Sequence, residues 1–452
     1  MRLRNLGLAA CAIAGLAVFG TWTTAEVPPS IDCTGAPSAV DSTADESKTK
    51  GKPSENIPIE PAQIAPFVTK GITWLIAAQH SDGGWGGGSH AEQQLRDPHQ
   101  VKTDPGTTAF TLLSLLRAGH TPSSGEYESQ VRRGLEYLIT AVEKAPAEGP
   151  RITDLTGTQP QSKLGQYVDT PLTAQYLARA IEFLAKDDAL YQRTDAALDK
   201  CLAKLQASQE QDGGWGQGGG WAPVLQSSLS CSALEIAQAN GKQVDRNKLT
   251  KARDYQKKQV DVSSGRAVAR TEAAAGVELY AFNSALRGNA SEARQARSAI
   301  QDAIAVGKLP QGAAVSADNL QAAGLGGGQA RQLARAVEQN DEQLKRLDDE
   351  NLLAGFGNNG GEEFLSYLLT SESLVIAGRD KFNQWNDKMH GRLQKVQNGD
   401  GSWSGHHCIT SPVFCTAAVV QCLTTDRDAT FLVAMAERTR ATSDEKTEVA
   451  QK

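Results

Sequence analysis

The segment Gln209-Glu210-Gln211-Asp212-Gly213-Gly214-Trp215-Gly216 decides the fold, because its Gln-x-x-Asp-Gly-x-Trp pattern occurs three times in the chain. Lys200, Cys201 and Leu205 precede it. The same register holds Lys70, Gly71, Leu75, Gln79 and Asp82-Gly83-Gly84-Trp85-Gly86. It recurs as Lys388, Leu393, Gln397 and Asp400-Gly401-Ser402-Trp403-Ser404. In each copy an amphipathic helix ends near the Gln. The Asp-Gly pair stops it, since glycine takes the positive φ of a helix end. The Trp is a large anchor beneath the turn. A second, more apolar helix follows, over 107–119, 225–240 and 412–423. Each copy therefore reads as a helical hairpin with one amphipathic and one largely buried helix.

Three weaker copies fill the gaps. Arg133, Gly134, Tyr137 and Leu138 match the start of the first copy, with a second helix over 170–184. Another hairpin is 245–260 with 271–286. The last is 291–306 with 362–377, split by an insertion holding the Gly324–Gly328 loop and a charged helix over 329–347. Repeat units that bury a face only against neighbours must stack with caps or close on themselves. The expected fold is all-α: a six-hairpin α/α toroid, with outer and inner helix rings, over residues 63–436.

Composition agrees with a globular chain. Of 452 residues, 40% are hydrophobic and 22% charged. With 46 basic against 52 acidic side chains, the net charge of −6 lacks the clustered positive footprint a nucleic-acid partner needs. The N-terminus reads as a Sec-type export signal over 1–25: Arg2 and Arg4, an apolar stretch from Leu6 to Gly20, and a small-residue cleavage site ending at Ala25. A periplasmic or extracellular location follows, with only transient membrane contact through the signal. Residues 26–62 are polar and Pro-rich and read as a disordered linker. Residues 437–452 read as a fraying polar tail.

Six cysteines remain after the signal, with no CxxC pair. In an oxidising compartment an even number suggests disulfides. Cys408 and Cys415 are the candidate pair, since six intervening residues can bring their Cβ atoms within bridging range.

The Gln…Asp-Gly-x-Trp copies resemble the QW repeats of squalene–hopene and oxidosqualene cyclases. The pattern is also similar to the β-subunits of protein prenyltransferases. The resemblance covers roughly 66–435 and implies a scaffold, with Gln79, Trp85, Gln209, Trp215, Gln397 and Trp403 as its repeat anchors, and not an activity. The cyclases' protonating Asp would fall at Val168, next to Asp169-Thr170. A lone Asp before a helix reads first as an N-cap. Aromatic content of 6% is low for stabilising carbocations. The prenyltransferase zinc ligands would fall at Glu362, Phe364 and Cys415. Glu and Cys still ligate metals, and His407 lies nearby, so Glu362, His407 and Cys415 form a candidate zinc set. Glu362 and Glu363 are a candidate acid–base pair for glycan cleavage, against the plainer reading of acids at a helix start.

The resulting expectation is an exported, non-cyclising toroid that binds a hydrophobic small molecule or a protein at its cavity or rim. The alternative is a divergent metal-dependent transferase or hydrolase with its site at the inner-helix N-termini. An isoprenoid cyclase stands third.

Overall fold

The computed structural model describes residues 59–438, except 218, 262–271 and 358; the side chains of 379 and 380 are also left undescribed. The expected signal, nearly all of the linker, Cys33 and most of the tail lie outside the described residues.

Among the described residues fifteen α-helices follow one another. They are α1 (Pro66–Ala77), α2 (Pro105–Arg117), α3 (Glu128–Lys144), α4 (Gln159–Lys163) and α5 (Asp169–Ala180). Then come α6 (Ala189–Ser208), α7 (Pro223–Ala239), α8 (Arg246–Lys257), α9 (Glu278–Ala305) and α10 (Ala317–Ala322). The last are α11 (Gly327–Lys345), α12 (Glu350–Leu353), α13 (Gly361–Ala377), α14 (Arg379–Gln394) and α15 (Pro412–Leu423). Among the described residues there are only isolated β-bridges and no strand.

Six helices form an inner ring. α2 packs on α5, α5 on α7, α7 on α9, α9 on α13, α13 on α15, and α15 back on α2. Apart from the second half of α9, they are buried nearly all round, as in α5 and α15, where every residue is buried. The outer helices α1, α3, α6, α8 and α14 bury one face each against this ring. The fold is an α/α toroid.

The repeat anchors explain how the rings interlock. Trp85, Trp215 and Trp403 are fully buried. Each indole Nε1 donates to a carbonyl ten residues back: Leu75 O at 2.7 Å, Leu205 O at 2.9 Å and Leu393 O at 2.8 Å. Each backbone N donates to a hydroxyl on the following inner helix, from Thr108, Ser227 and Thr416. The indole thus ties outer helix to inner helix within one hairpin. The Gln side chains tie one hairpin to the next. Gln79 Nε2 donates to Gln130 O, and Gln209 Nε2 to Lys248 O, each at 2.9 Å. The turn glycines Gly83, Gly213 and Gly401 sit at φ +89°, +98° and +95°. There a Cβ would be strained, and at Gly213 it would lie 2.2 Å from Lys251 O of α8.

The structure departs from the expected hairpins in the fifth unit. An inner helix ending at 286 and a separate outer helix from 291 were expected, but α9 runs unbroken through both. Gly288 does not break it. A glycine costs a helix interior about 1 kcal/mol. Here it lets α8 lie close, since a Cβ would meet Gln256 and Lys257 at 3.0–3.1 Å. The second half of α9 leaves the ring and packs with α10 and α11 in a separate apolar cluster, built from Ala293, Ala296, Ile300, Leu320, Leu333 and Val337. The supposed Gly324–Gly328 loop is therefore partly helical: Gly326 caps α11. Glu437 and Arg438, read from the sequence as the start of the polar tail, are helical. The chain is helical to 438, with Glu437 paired to Arg294 at 3.0 Å and Arg438 donating to Ala239 O at 2.7 Å.

Candidate functional site

The inner-helix N-termini carry a concentration of acids, as their helix dipoles favour. Glu362 and Glu363 open α13 and are almost fully buried. Glu363 Oε1 accepts from Tyr280 Oη of α9 at 2.7 Å and from Phe356 N at 2.9 Å. Its Oε2 accepts from Gly360 N at 3.0 Å, completing a capping box. Glu362 Oε2 accepts from Ile409 N at 3.2 Å. Burial, then the neighbouring Glu363 charge, push Glu362 up to about 8. It is a largely protonated acid at neutral pH. Gly360 is a close approach: a Cβ would stand 2.5 Å from Glu363 Oε2 and 2.7 Å from His407 Cε1.

His407 lies beside this pair, with its Nε2 3.8 Å from Glu363 Oε2. Neither ring nitrogen has a hydrogen-bond partner among the described residues. Burial, followed by the nearby Glu362, pushes the Cys408 thiol up to about 12. Cys415 Sγ donates to Ile409 O at 3.5 Å and is wholly buried. Burial and Glu362 push its thiol far above the ordinary range.

Two expectations are corrected here. Cys408 and Cys415 are both free thiols, not a disulfide. Cys415 is turned into the α15 core and Cys408 sits at φ +57° on the loop. The zinc set does not fit either. His407 faces Glu363, not Glu362, and Cys415 Sγ is turned onto Ile409 O in the α15 core. Among the described residues no group of three or more His, Cys, Asp or Glu could hold a metal ion.

Sequence reading missed a second acid pair. Asp104 caps α2, accepting from Thr107 N and Gly87 N, both at 2.7 Å. Asp169 is not the N-cap of α5; Val168 holds that place. Asp169 instead accepts from Gly106 N at 3.0 Å and Gln161 Nε2 at 2.7 Å, bridging three elements. Burial raises both carboxyls, and Asp169 raises Asp104 further. Asp104-Pro105 was a legible capping signal. Val168, at the cyclase acid position, is fully buried.

It also missed the aromatic surface above the acids. Trp221 is 46% exposed and Phe356 52% exposed. Their rings meet edge to face at 5.3 Å, and Phe356 meets His407 at 5.3 Å. Lys163 Nζ stands 4.4 Å over the Trp221 ring. Trp221, Phe356 and His407 come from three different loops, so no local sequence pattern joins them.

Residues 56–153 match the model of the squalene–hopene cyclase C-terminal domain, a stretch that includes the first Gln–Trp repeat. No curated protein matches. Among solved structures, the chain is similar to the GH76A α-1,6-mannanase of Salegentibacter sp. HEL1_6, at 10% identity and TM-score 0.48, over 81% of this chain and 98% of that one. It is also similar to a variant of the type II terpene cyclase MstE from Scytonema, bound to geranylgeranyl dihydroxybenzoate. That likeness is at 13% identity and TM-score 0.40, over 80% and 97% of the two chains. Neither likeness assigns an activity to this chain.

Proposed function

We propose that this protein is an exported, non-cyclising toroid that binds a small molecule with an apolar face at the inner-helix N-terminal rim. The observation that carries the reading is the exposed Trp221–Phe356 pair, flanked by Lys163 and His407. Exposed large apolar side chains that touch each other mark interaction sites more often than isolated ones. The flanking Lys163 cation adds a polar handle, as in small-molecule sites with a few placed polar groups.

The enzymatic alternative at Glu362, His407 and Cys415 is not favoured. Glu362 is a protonated acid, but only 1% of its surface is exposed and its carboxyl holds Ile409 N. A general acid must reach the atom it protonates. A groove of about 820 Å³ along α3, lined by Arg132, Arg133, Glu136 and Tyr137, is a second surface, but it lacks an exposed aromatic pair.

The test is native mass spectrometry of protein purified from its own compartment, beside the Trp221→Ala/Phe356→Ala double variant. A co-purifying small molecule absent from the double variant supports the reading. Equal ligand occupancy in both proteins, or no quenching of Trp221 fluorescence by any lipid or glycan offered, overturns it.

A further inference from the structure

At their C-terminal ends the six inner helices enclose a small void on the ring axis. Every inner helix lines it: Arg117 from α2, Arg179 from α5, Ser232 from α7, Arg287 from α9, Glu372 from α13 and Gln421 from α15. Asp428 and Phe431, from the chain after α15, close it. The void measures about 20 Å³, room for one or two water-sized bodies.

Its charges do not balance. Arg117 bonds Asp428 at 2.8 Å and Glu372 at 2.6 Å. Arg179 also pairs with Asp428, at 3.0 Å. Arg287 gives only Nη2 to Glu235, which is already bonded by Arg253 Nε at 2.8 Å. Three guanidinium groups, Arg117, Arg179 and Arg287, thus line the void against two carboxylates, Glu372 and Asp428, while Glu235, which holds Arg287, is shared with Arg253 outside the void. The unpartnered donors belong to this lining. Arg287 Nε and Nη1, Arg179 Nε and Ser232 Oγ are buried with no hydrogen-bond partner among the described residues, and all three residues line the void. They are only 4%, 7% and 4% exposed.

A buried, uncompensated guanidinium is costly, and so is each buried donor without an acceptor. Water would supply an acceptor but no charge. A small anion supplies both. We propose that this axial void binds one monovalent inorganic anion of the halide class, held by Arg287, Arg179 and Ser232. The anion balances the guanidinium-rich lining and accepts the stranded donors. It joins α5, α7 and α9 at the point where the C-terminal segment closes the ring. This site is at the opposite end of the inner helices from the aromatic rim and does not depend on the reading given for it.

Bromide is the probe. In crystals grown in bromide, anomalous diffraction should show a single peak in the void, within hydrogen-bonding distance of Arg287. In solution the thermal midpoint should rise with chloride at constant ionic strength, made up with gluconate. Arg287→Met should abolish both effects. Ser232→Ala, a milder change that keeps the charge cluster intact, should raise the half-saturating chloride concentration about tenfold, the loss of one charge-assisted hydrogen bond. The proposal is overturned if the void holds water alone in bromide crystals. It is equally overturned if the midpoint ignores chloride, or if both variants keep the wild-type chloride response.

Discussion

Gln397 Nε2 donates to the carbonyl of Phe67 at 2.7 Å, across 330 positions of sequence. It is the bond that Gln79 makes to Gln130 and Gln209 makes to Lys248, each on the outer helix of the next hairpin. In the third copy the next hairpin is the first one. A bond that elsewhere links neighbours here closes the ring. Trp403 serves the same closure from below, since a Cβ on Gly71 of α1 would lie 2.7 Å from its ring.

Replacing Gln397 with Ala should therefore act locally on α1. It strands the carbonyl of Gly401, removes the inter-hairpin bond to Phe67 O, and should cost about 1–3 kcal/mol. Hydrogen exchange should speed up in residues 66–77. Gln209→Ala should cost a similar amount and leave that segment protected. Unchanged exchange of α1 in the Gln397 variant would refute the closing role.

Trp215→Ala should cost about 3–5 kcal/mol, the usual range for a buried aromatic. Trp215→Phe keeps much of the apolar volume but leaves Leu205 O without its indole donor, so it should cost less but more than 1 kcal/mol. Chemical denaturation of the two variants tests the order, and a Phe variant as stable as the parent contradicts the indole's tethering role.

Stability should peak on the acid side of neutrality. Glu362 is raised from an ordinary 4.5 to about 8, so the folded protein binds its proton more tightly than the unfolded chain. Stability from this group is present below 4.5 and is lost as pH rises toward 8. Asp104 and Asp169 shift in the same direction. Asp428 has the opposite sign. Its burial alone would raise it, but Arg179 and Arg117 outweigh that and hold it at about 2. Its contribution is present above 3.8 and is lost as pH falls toward 2. Thermal midpoints from pH 3 to 9 should show the decline above 5, and Glu362→Gln should flatten it. A midpoint that rises steadily from pH 5 to 8 would contradict this assignment.

The thiols at Cys201, Cys231, Cys408, Cys415 and Cys422 should be protected by burial and not by oxidation. Alkylation of the native, unreduced protein should be slow at all five, because burial holds each as the unreactive thiol. Unfolding in denaturant without reductant should make all five react at once. A Cys408–Cys415 peptide pair surviving that treatment would restore the disulfide.

Incubation with squalene or oxidosqualene should yield no polycyclic product. Val168 supplies no proton at the position the cyclase resemblance assigns to the acid. The adjacent Asp169 has both carboxylate oxygens occupied by Gly106 and Gln161. Product analysis by mass spectrometry decides it, and any cyclised triterpene would identify another acid in this chain.

The sequence by itself determined the repeat and hence the ring. Gln, Asp-Gly and Trp at fixed spacing act within about ten residues of one another, so their turn, cap and anchor are local and periodic. It also brought Glu362, Glu363, His407, Cys408 and Cys415 to one corner, because they lie at two inner-helix starts. What only the tertiary structure decided is what those groups do there. Glu363 is spent on Tyr280 and Gly360, and Cys415 on a carbonyl. The unbroken α9 was equally hidden, since the packing that compensates Gly288 comes from α8, some thirty residues earlier. The same holds for the Trp221–Phe356 surface and for the guanidinium-rich lining around Arg287. Each is a sum over side chains from distant helices, and burial strengthens those interactions by removing water, a condition that exists only once the ring has closed.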